Sequence, residues 1–210
     1  MQQDQFQFFY PNRMGKIIFR ALEEIGGEEK YLHVVEAANL QHLLGEPLSG
    51  DLEREFPFEY VARLQEGVES VFGVEEGREV NRKVGRACLA GGLQEFNPLL
   101  GIADLPMRVM PLGMKLHVGF DMFAMVFNRF SDQVVTLSED TDNYLWIIER
   151  CPVCWQRKTD AACCHLAVGI LEESLKWVSG GREFDVAEIA CIAKGDETCT
   201  MCITKRPLKA

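Results

Sequence analysis

The sequence lacks the segments that would direct it into or across a membrane. It does not open with a basic region followed by an apolar run, so we expect no signal peptide. Its longest apolar stretch, residues 109–130, is interrupted by Lys115, Asp121 and Arg129 and is too polar to span a bilayer. Peripheral membrane association stays open. These absences predict a cytoplasmic protein, whose thiols remain reduced.

Positive charge is also scarce. Lys and Arg number 22 against 32 Asp and Glu, which gives a formal net charge of −10. Because an acidic surface repels phosphate, nucleic acid is not expected as a partner. No repeat and no low-complexity tract interrupts the 210 residues. This length is enough to bury a core without disulfides.

What the sequence does contain is a helical first half and a mixed second half. Apolar periodicity predicts five helices, over 12–27, 28–44, 57–73, 78–96 and 111–130. In the second half, "DQVVTLSED" and "NYLWIIER" are typical of strands, and a helix is predicted over 161–178. Two more strands follow, "EFDVAEIACIA" and "ETCTMCITKR". This order predicts an α+β fold in which a helical N-terminal part packs with a small antiparallel sheet and a crossing helix.

The chain has eight cysteines, of which two flank the last predicted turn. Cys191 and Cys199 can lie opposite each other in a hairpin that turns near Gly195. Glu188 reaches the same point if its strand bulges. Cys164 lies near the start of a helix, where the helix dipole favours a thiolate. These four residues are a candidate ligand set for tetrahedral zinc.

Three more cysteines leave the type of metal site open. Cys151 and Cys154 form a C-x-x-C pair, and Cys163 directly precedes Cys164. The C-x-x-C pair could complete a second site with Cys163 or Cys202, or replace a member of the first. Four cysteines without a bound water would suit an iron–sulfur cluster. Buried cysteines that serve as small core residues are the remaining alternative.

The predicted helix over 111–130 is apolar on most of its surface. His117, Asp121 and Asn128 form its narrow polar strip. This strip either contacts water or faces a pocket in which Asp121 orients His117.

A longer pattern resembles a known family. The stretch "CHLAVGILEESLKWVSGGREFDVAEIACIAKGDETCTMCI" is similar to the 4-vinyl reductase domain, with a cysteine before a helix, a glycine turn and E-x-x-C-x-A-x-G-D-x-x-C. "FNRFSDQVV" and "YLWIIERCPVCW" are similar to the subgroup associated with chlorophyll and bacteriochlorophyll synthesis. The resemblance implies a helical extension over 1–110 and a ligand-binding domain over 111–210.

The resemblance also implies a fold, a ligand and a role. The family is similar to the TRAPP trafficking subunits and to phenol sensors, is often dimeric, and encloses hydrophobic molecules. The zinc ligands of the phenol sensors fall on Cys164, Glu188, Cys191 and Cys199. The implied function is non-catalytic binding of a tetrapyrrole, as a carrier or assembly factor in pigment biosynthesis or photosystem assembly. No G-x-G-x-x-G follows a strand, which argues against a dinucleotide-dependent catalyst.

Aromatic residues supply the candidate ligand contacts. They are His117, Phe120, Phe123, Phe127 and Trp146. Two other functions stay open: an iron–sulfur redox protein or vinyl reductase component, and a dimeric protein-interaction module.

Overall fold

The computed structural model describes residues 7–45, 48–100 and 110–208, which form six α-helices and two antiparallel sheets. The helices are α1 (Asn12–Gly26), α2 (Glu28–Ala37), α3 (Phe58–Phe72), α4 (Val74–Leu100), α5 (Leu112–Phe130) and α6 (His165–Ser179). The strands are β1 (Phe9–Pro11), β2 (Arg54–Pro57), β3 (Val135–Glu139), β4 (Asn143–Ile148), β5 (Val186–Ala190) and β6 (Cys199–Thr204). The predicted α+β class is confirmed.

Two helix ends differ from the sequence prediction for local reasons. Helix α2 ends at Ala37 rather than near residue 44, because Asn39 adopts a left-handed conformation with φ 56° that stops the helix. Helix α6 begins at His165 rather than near residue 161. The segment 151–164 that precedes it contains neither helix nor strand, so its cysteines lie on irregular backbone.

The larger sheet has the strand order β3-β4-β6-β5, with every neighbouring pair antiparallel. Its central strands bury Trp146 and Ile148 of β4 and Met201 and Ile203 of β6. In β5 the register against β6 shifts between Glu188 and Ala190. This bulge turns the end of β5 toward the start of α6.

A second sheet pairs β1 with β2, and the sequence analysis did not predict it. Strands of three and four residues are too short to show a period. The Tyr10 hydroxyl of β1 donates a 2.5 Å hydrogen bond to Gln133 Oε1, and the backbone N–H of Phe9 donates to Asp132. These bonds attach the N-terminal strand to the segment between α5 and β3.

Helices α4 and α6 cross with their backbones in direct contact. A Cβ atom on Gly85 would overlap the carbonyl of Leu166, and one on Gly169 would overlap the carbonyl of Arg82. The hydrophobic core includes side chains from both sides of residue 110. The predicted division into 1–110 and 111–210 stays a prediction.

The same crossing carries an ion-pair network. The carboxylate of Glu172 on α6, which is 15% exposed, pairs with Arg82 and with Arg86 Nη2 at 2.7 Å. We expect Glu172→Gln to lower the free energy of unfolding by about 2 kcal/mol, because it removes the carboxylate that two half-buried guanidiniums share and leaves Arg86 only a 3.7 Å contact with Glu79. Urea unfolding of the purified protein measures this change. Glu173→Gln is the control, since no ion pair of Glu173 occurs in the described structure, and an equal loss in both variants would contradict the network.

Every described helix is too short or too polar to cross a lipid bilayer.

Candidate functional site

The structure gathers six of the eight cysteines into one buried cluster. Four segments supply them: the irregular segment after β4, the N-terminal end of α6, the turn after β5 and the first residue of β6. The cluster consists of Cys151, Cys154, Cys163, Cys164, Cys191 and Cys199. All eight cysteines of the chain are free thiols, so no disulfide accounts for this arrangement.

The sulfur atoms lie at separations typical of a shared cation. Cys164 Sγ is 3.6 Å from Cys151 Sγ, 3.7 Å from Cys199 Sγ and 3.9 Å from Cys191 Sγ. Cys154 Sγ is 3.3 Å from Cys199 Sγ. Four thiolates around a tetrahedral zinc, each about 2.3 Å from the ion, have edges of about 3.8 Å.

Glu188 joins the cluster from β5. Because the strand bulges after it, its carboxylate reaches the start of α6, where Oε2 accepts a 2.8 Å hydrogen bond from the backbone N–H of Cys164. The other oxygen, Oε1, is buried without a hydrogen-bond partner. Burial, and secondarily the neighbouring Cys191, raises the pKa of this carboxyl to about 8. A buried acceptor without a donor is costly, and a cation would satisfy it.

Two groups of four residues each have ligand atoms that all lie within 4.8 Å of one another. One is the set predicted from spacing, Cys164, Glu188, Cys191 and Cys199. The other is Cys151, Cys154, Cys164 and Cys199. Cys163 belongs to neither group; its sulfur lies 3.9 Å from that of Cys191. The structure therefore brings all the predicted cysteines together and places five of them, with Glu188, in two overlapping sets.

Backbone and charged groups around the cluster favour anionic sulfur. The N–H of Ile192 donates to Cys199 Sγ at 3.3 Å. The guanidinium of Arg157, whose side chain is 3% exposed, pairs with Glu66 and Glu69. Burial lowers the pKa of Arg157, but the charges of nearby Cys163 and of the two acids outweigh burial and raise this pKa above its usual value. Arg157 could not be identified from sequence, because the two acids that hold it lie on α3, far away in the chain.

A separate apolar cavity lies between α1, α4 and α5. Its volume is about 70 Å³, below the range of about 300–1,000 Å³ for small-molecule sites, so a larger ligand needs side chains of the wall to move. Five aromatic rings contribute to its wall: Tyr10, Phe96, Phe123, Phe127 and Phe130. Aliphatic and sulfur-containing side chains complete it, among them Met14, Cys88, Leu89, Leu93 and Ile170.

The few polar groups on the cavity wall already have partners or are neutral. The Tyr10 hydroxyl donates to Gln133, and Ser131 Oγ donates to the carbonyl of Phe127 at 2.7 Å. Burial raises the pKa of the Cys88 thiol to about 12, so this thiol is uncharged at neutral pH. The described wall of the cavity therefore suits an apolar molecule.

The five predicted ligand-contact residues lie in two places. Phe123 and Phe127 line the apolar cavity. His117, Phe120 and Trp146 line a surface groove beside β3 and β4 instead. His117 is 62% exposed and its Nε2 lies 3.8 Å from Asp121 Oδ2. His117 and Asp121 of the polar strip thus face this groove and solvent, on a different side of α5 from the cavity. The third member, Asn128, instead hydrogen-bonds with the backbone N–H and carbonyl of Val135.

No protein-family model matches the chain, and no curated protein matches it. Solved structures do. The fold is similar to a mutant Fe(II) unliganded H-NOX protein from K. algicida, with a TM-score of 0.57 at 12% identity over 95% of this chain and 98% of that one. It is similar to an H-NOX protein from S. oneidensis in the Fe(II)NO ligation state, with a TM-score of 0.56 at 10% identity over 92% and 99%. An H-NOX structure concerned with heme distortion gives 0.54 at 14% identity over 94% and 96%.

These matches correct the resemblance drawn from the cysteine pattern. The similar structures are H-NOX proteins and not 4-vinyl reductase domains, so the assignment to that family was wrong. The role in pigment biosynthesis or photosystem assembly loses its basis with it. At 10–14% identity the likeness establishes the fold alone. A homodimer stays a prediction.

Proposed function

We propose that this protein binds a hydrophobic small molecule of the tetrapyrrole class, without catalysis, in the apolar cavity between α1, α4 and α5. The observation that carries the proposal is the cavity itself, with its five aromatic rings and its neutral, internally bonded polar groups. A flat aromatic ligand gains both apolar burial and ring contacts in such a site. One H-NOX structure that shares the fold is described in terms of heme distortion, which supports the same ligand class.

The residues present do not fit a heme bonded to the protein through histidine. The chain's four histidines are His33, His42, His117 and His165, and none of them lines the cavity. Cys88 is an uncharged thiol. Tyr10 is a buried phenol whose pKa is raised well above its usual value, first by burial and then by the neighbouring cysteines. The ligand we propose is therefore held by its ring faces, and no step depends on iron.

Two guanidiniums that lie over rings of the cavity wall support a ligand that carries acidic groups, although Arg13 also donates to the carbonyls of Gly50 and Glu95. Arg13 lies over the Phe96 ring, 5.6 Å from its centroid, and Arg129 lies over the Phe130 ring at 5.5 Å. Both rings line the cavity. Tetrapyrroles combine an apolar macrocycle with carboxylates, and guanidinium binds carboxylate in two-point geometry. Of the other basic residues, Lys115 lies on α5 away from the lining, and Arg108 is outside the described residues.

We also propose that the cysteine cluster holds zinc as a structural element of this binding domain. A buried set of thiols at tetrahedral separations, with a carboxylate oxygen that lacks a donor, supports it. The cluster holds together a segment, 151–164, that has no secondary structure of its own. Metal binding would then contribute folding free energy.

Filling the cavity tests the binding site. Gly92 of α4 lines it, and a Cβ atom there would meet nothing within 4 Å. We expect Gly92→Phe to weaken binding of metal-free protoporphyrin IX at least about tenfold, because the new ring occupies the ligand's space. Quenching of tryptophan fluorescence measures this, since Trp177 and Trp146 lie 6.2 Å and 6.1 Å from Phe123 and Phe127.

Gly113→Phe is the matched control. Gly113, in the first turn of α5, is likewise a helical glycine with open space around it, but it does not line the cavity. The affinity of the Gly113→Phe variant for metal-free protoporphyrin IX should stay within about twofold of that of the parent protein. Equal binding by the Gly92→Phe variant, or no binding by the parent, would overturn the proposed site. A hemin spectrum typical of histidine ligation would overturn the ligation argument.

A further inference from the structure

We propose that the cysteine cluster holds two zinc ions that share the thiolates of Cys164 and Cys199 as bridges. This inference rests on the proposed function only in that the domain contains zinc. The first ion is bound by Cys151, Cys154, Cys164 and Cys199. The second is bound by Cys164, Cys199, Cys191 and Glu188.

The overlap between the two ligand groups is the first argument. Each group has four atoms within 4.8 Å of one another, which is a complete tetrahedral set. The groups have two members in common, Cys164 and Cys199, whose sulfurs are 3.7 Å apart. Two tetrahedra that share an edge of this length need six ligands in all, and the two groups together supply six.

The positions of the shared sulfurs are the second argument. Cys164 Sγ contacts a sulfur of the first set, Cys151, and one of the second set, Cys191. Cys199 Sγ contacts the sulfur of Cys154 in the first set. It also accepts a hydrogen bond from the backbone N–H of Ile192, the residue after Cys191 of the second set. Each of the two shared sulfurs is thus within reach of both sets.

A single ion would leave one side of the cluster without a partner. An ion in the first set alone leaves Glu188 Oε1 buried without any hydrogen bond. An ion in the second set alone leaves Cys151 and Cys154 without a metal. Both side chains are buried, each 1% exposed, so they would remain as thiols in contact with the zinc-bound thiolates. Two divalent ions bind every member of both sets and neutralise four of the six negative charges that the ligands carry when ionised.

Arg157 supplies a positive charge beside the cluster. Its guanidinium is buried near Cys163, and its Nη1 has no hydrogen-bond partner. Two acids, Glu66 and Glu69, already hold the other side of this guanidinium. An anionic metal–thiolate cluster is a partner of the right sign for it.

Metal stoichiometry tests the inference on the full chain purified without oxygen. We expect elemental analysis and native mass spectrometry to give two zinc ions per chain and no acid-labile sulfide. X-ray absorption at the zinc edge should show a zinc–zinc distance of about 3 Å, as bridging bonds of about 2.3 Å require. One zinc per chain would overturn this inference and leave the single structural zinc in place. No zinc, or iron with sulfide, would overturn both.

Single substitutions assign the ligands. Cys151→Ser and Glu188→Gln should each retain one zinc, because each removes a terminal ligand from one site. Cys199→Ser should retain none, because it removes a bridge. Cys202→Ser and Cys163→Ser should retain two; Cys202 is half-buried three residues beyond Cys199 and belongs to neither set. Loss of a zinc from the Cys163→Ser variant would overturn the ligand assignment. The parent protein's zinc count and zinc–zinc distance test the bridge even if a variant does not fold.

Discussion

Replacing Gly169 with alanine is expected to lower the free energy of unfolding by about 3 kcal/mol, at the upper end of the range for an overpacked core position. Gly169 lies where α6 crosses α4, and an added Cβ atom would overlap the backbone of Arg82. Backbone cannot move aside as a flexible side chain can, so the two helices must separate. For a chain of this size the melting temperature should fall by about 6–12 °C.

Gly92→Ala is the matched control for this substitution. It makes the same chemical change in a helix, but the added Cβ atom meets nothing within 4 Å. Helix propensity alone then favours alanine by up to about 1 kcal/mol, so this variant should be unchanged or slightly more stable. Equal destabilisation of both variants would show that the crossing is not as close as the structure has it. Thermal unfolding of the two proteins under one set of conditions decides between the outcomes.

The order of helices and strands could be predicted because it depends on local periodicity. The span of α1, for example, follows from apolar residues at helical spacing and from Gly27, whose φ of 75° ends the helix. The crossing of α4 and α6 could not be predicted in this way. In a sequence, a glycine such as Gly85 or Gly169 indicates a less stable helix. Only the tertiary contact shows that each glycine lets the two helix backbones approach, because a Cβ atom there would overlap the other helix.

The candidate metal ligands were also within reach of the sequence, since a hairpin fixes which of its residues face each other. The β-bulge at Glu188 and the turn after Cys191 bring Glu188, Cys191 and Cys199 together. What spacing could not give was the pairing of Cys151 and Cys154 with Cys164. They lie on irregular backbone, which has no period from which a direction can be inferred.

The family resemblance was wrong for a related reason. A pattern of cysteines and glycines over about forty residues describes one local metal-binding unit. A fold is set by the packing of the whole chain, which tolerates wide sequence change as long as buried volume is kept. The H-NOX structures match more than nine-tenths of this chain at 10–14% identity. The predicted ligand contacts had a separate limit. Helix α5 is apolar on several sides, so its period could not show that Phe123 lines the cavity while Phe120 lines the groove.

Removal of metal is expected to have the largest effect of any treatment. A strong zinc chelator should lower the melting temperature by about 10–20 °C, which corresponds to about 5 kcal/mol for a chain of this length. The reason is that segment 151–164 has no helix or strand and is held by its cysteines to α6, β5 and β6. Without metal the cluster loses the bonds that hold it, and Glu188 keeps an oxygen without a partner.

The same segment provides a local measurement of metal loss. Lys158 is exposed, but the residue before it, Arg157, is only 7% exposed, so the tryptic bond after Arg157 is protected while the cluster is intact. After chelation, cleavage there should accelerate at least about tenfold, because local opening controls access of the protease. Cleavage after Lys30, on the exposed face of α2, is the internal control and should change less than about twofold. Re-addition of zinc should restore protection at Arg157. Protection that survives complete removal of zinc would mean that ordinary packing, rather than metal, holds the segment in place.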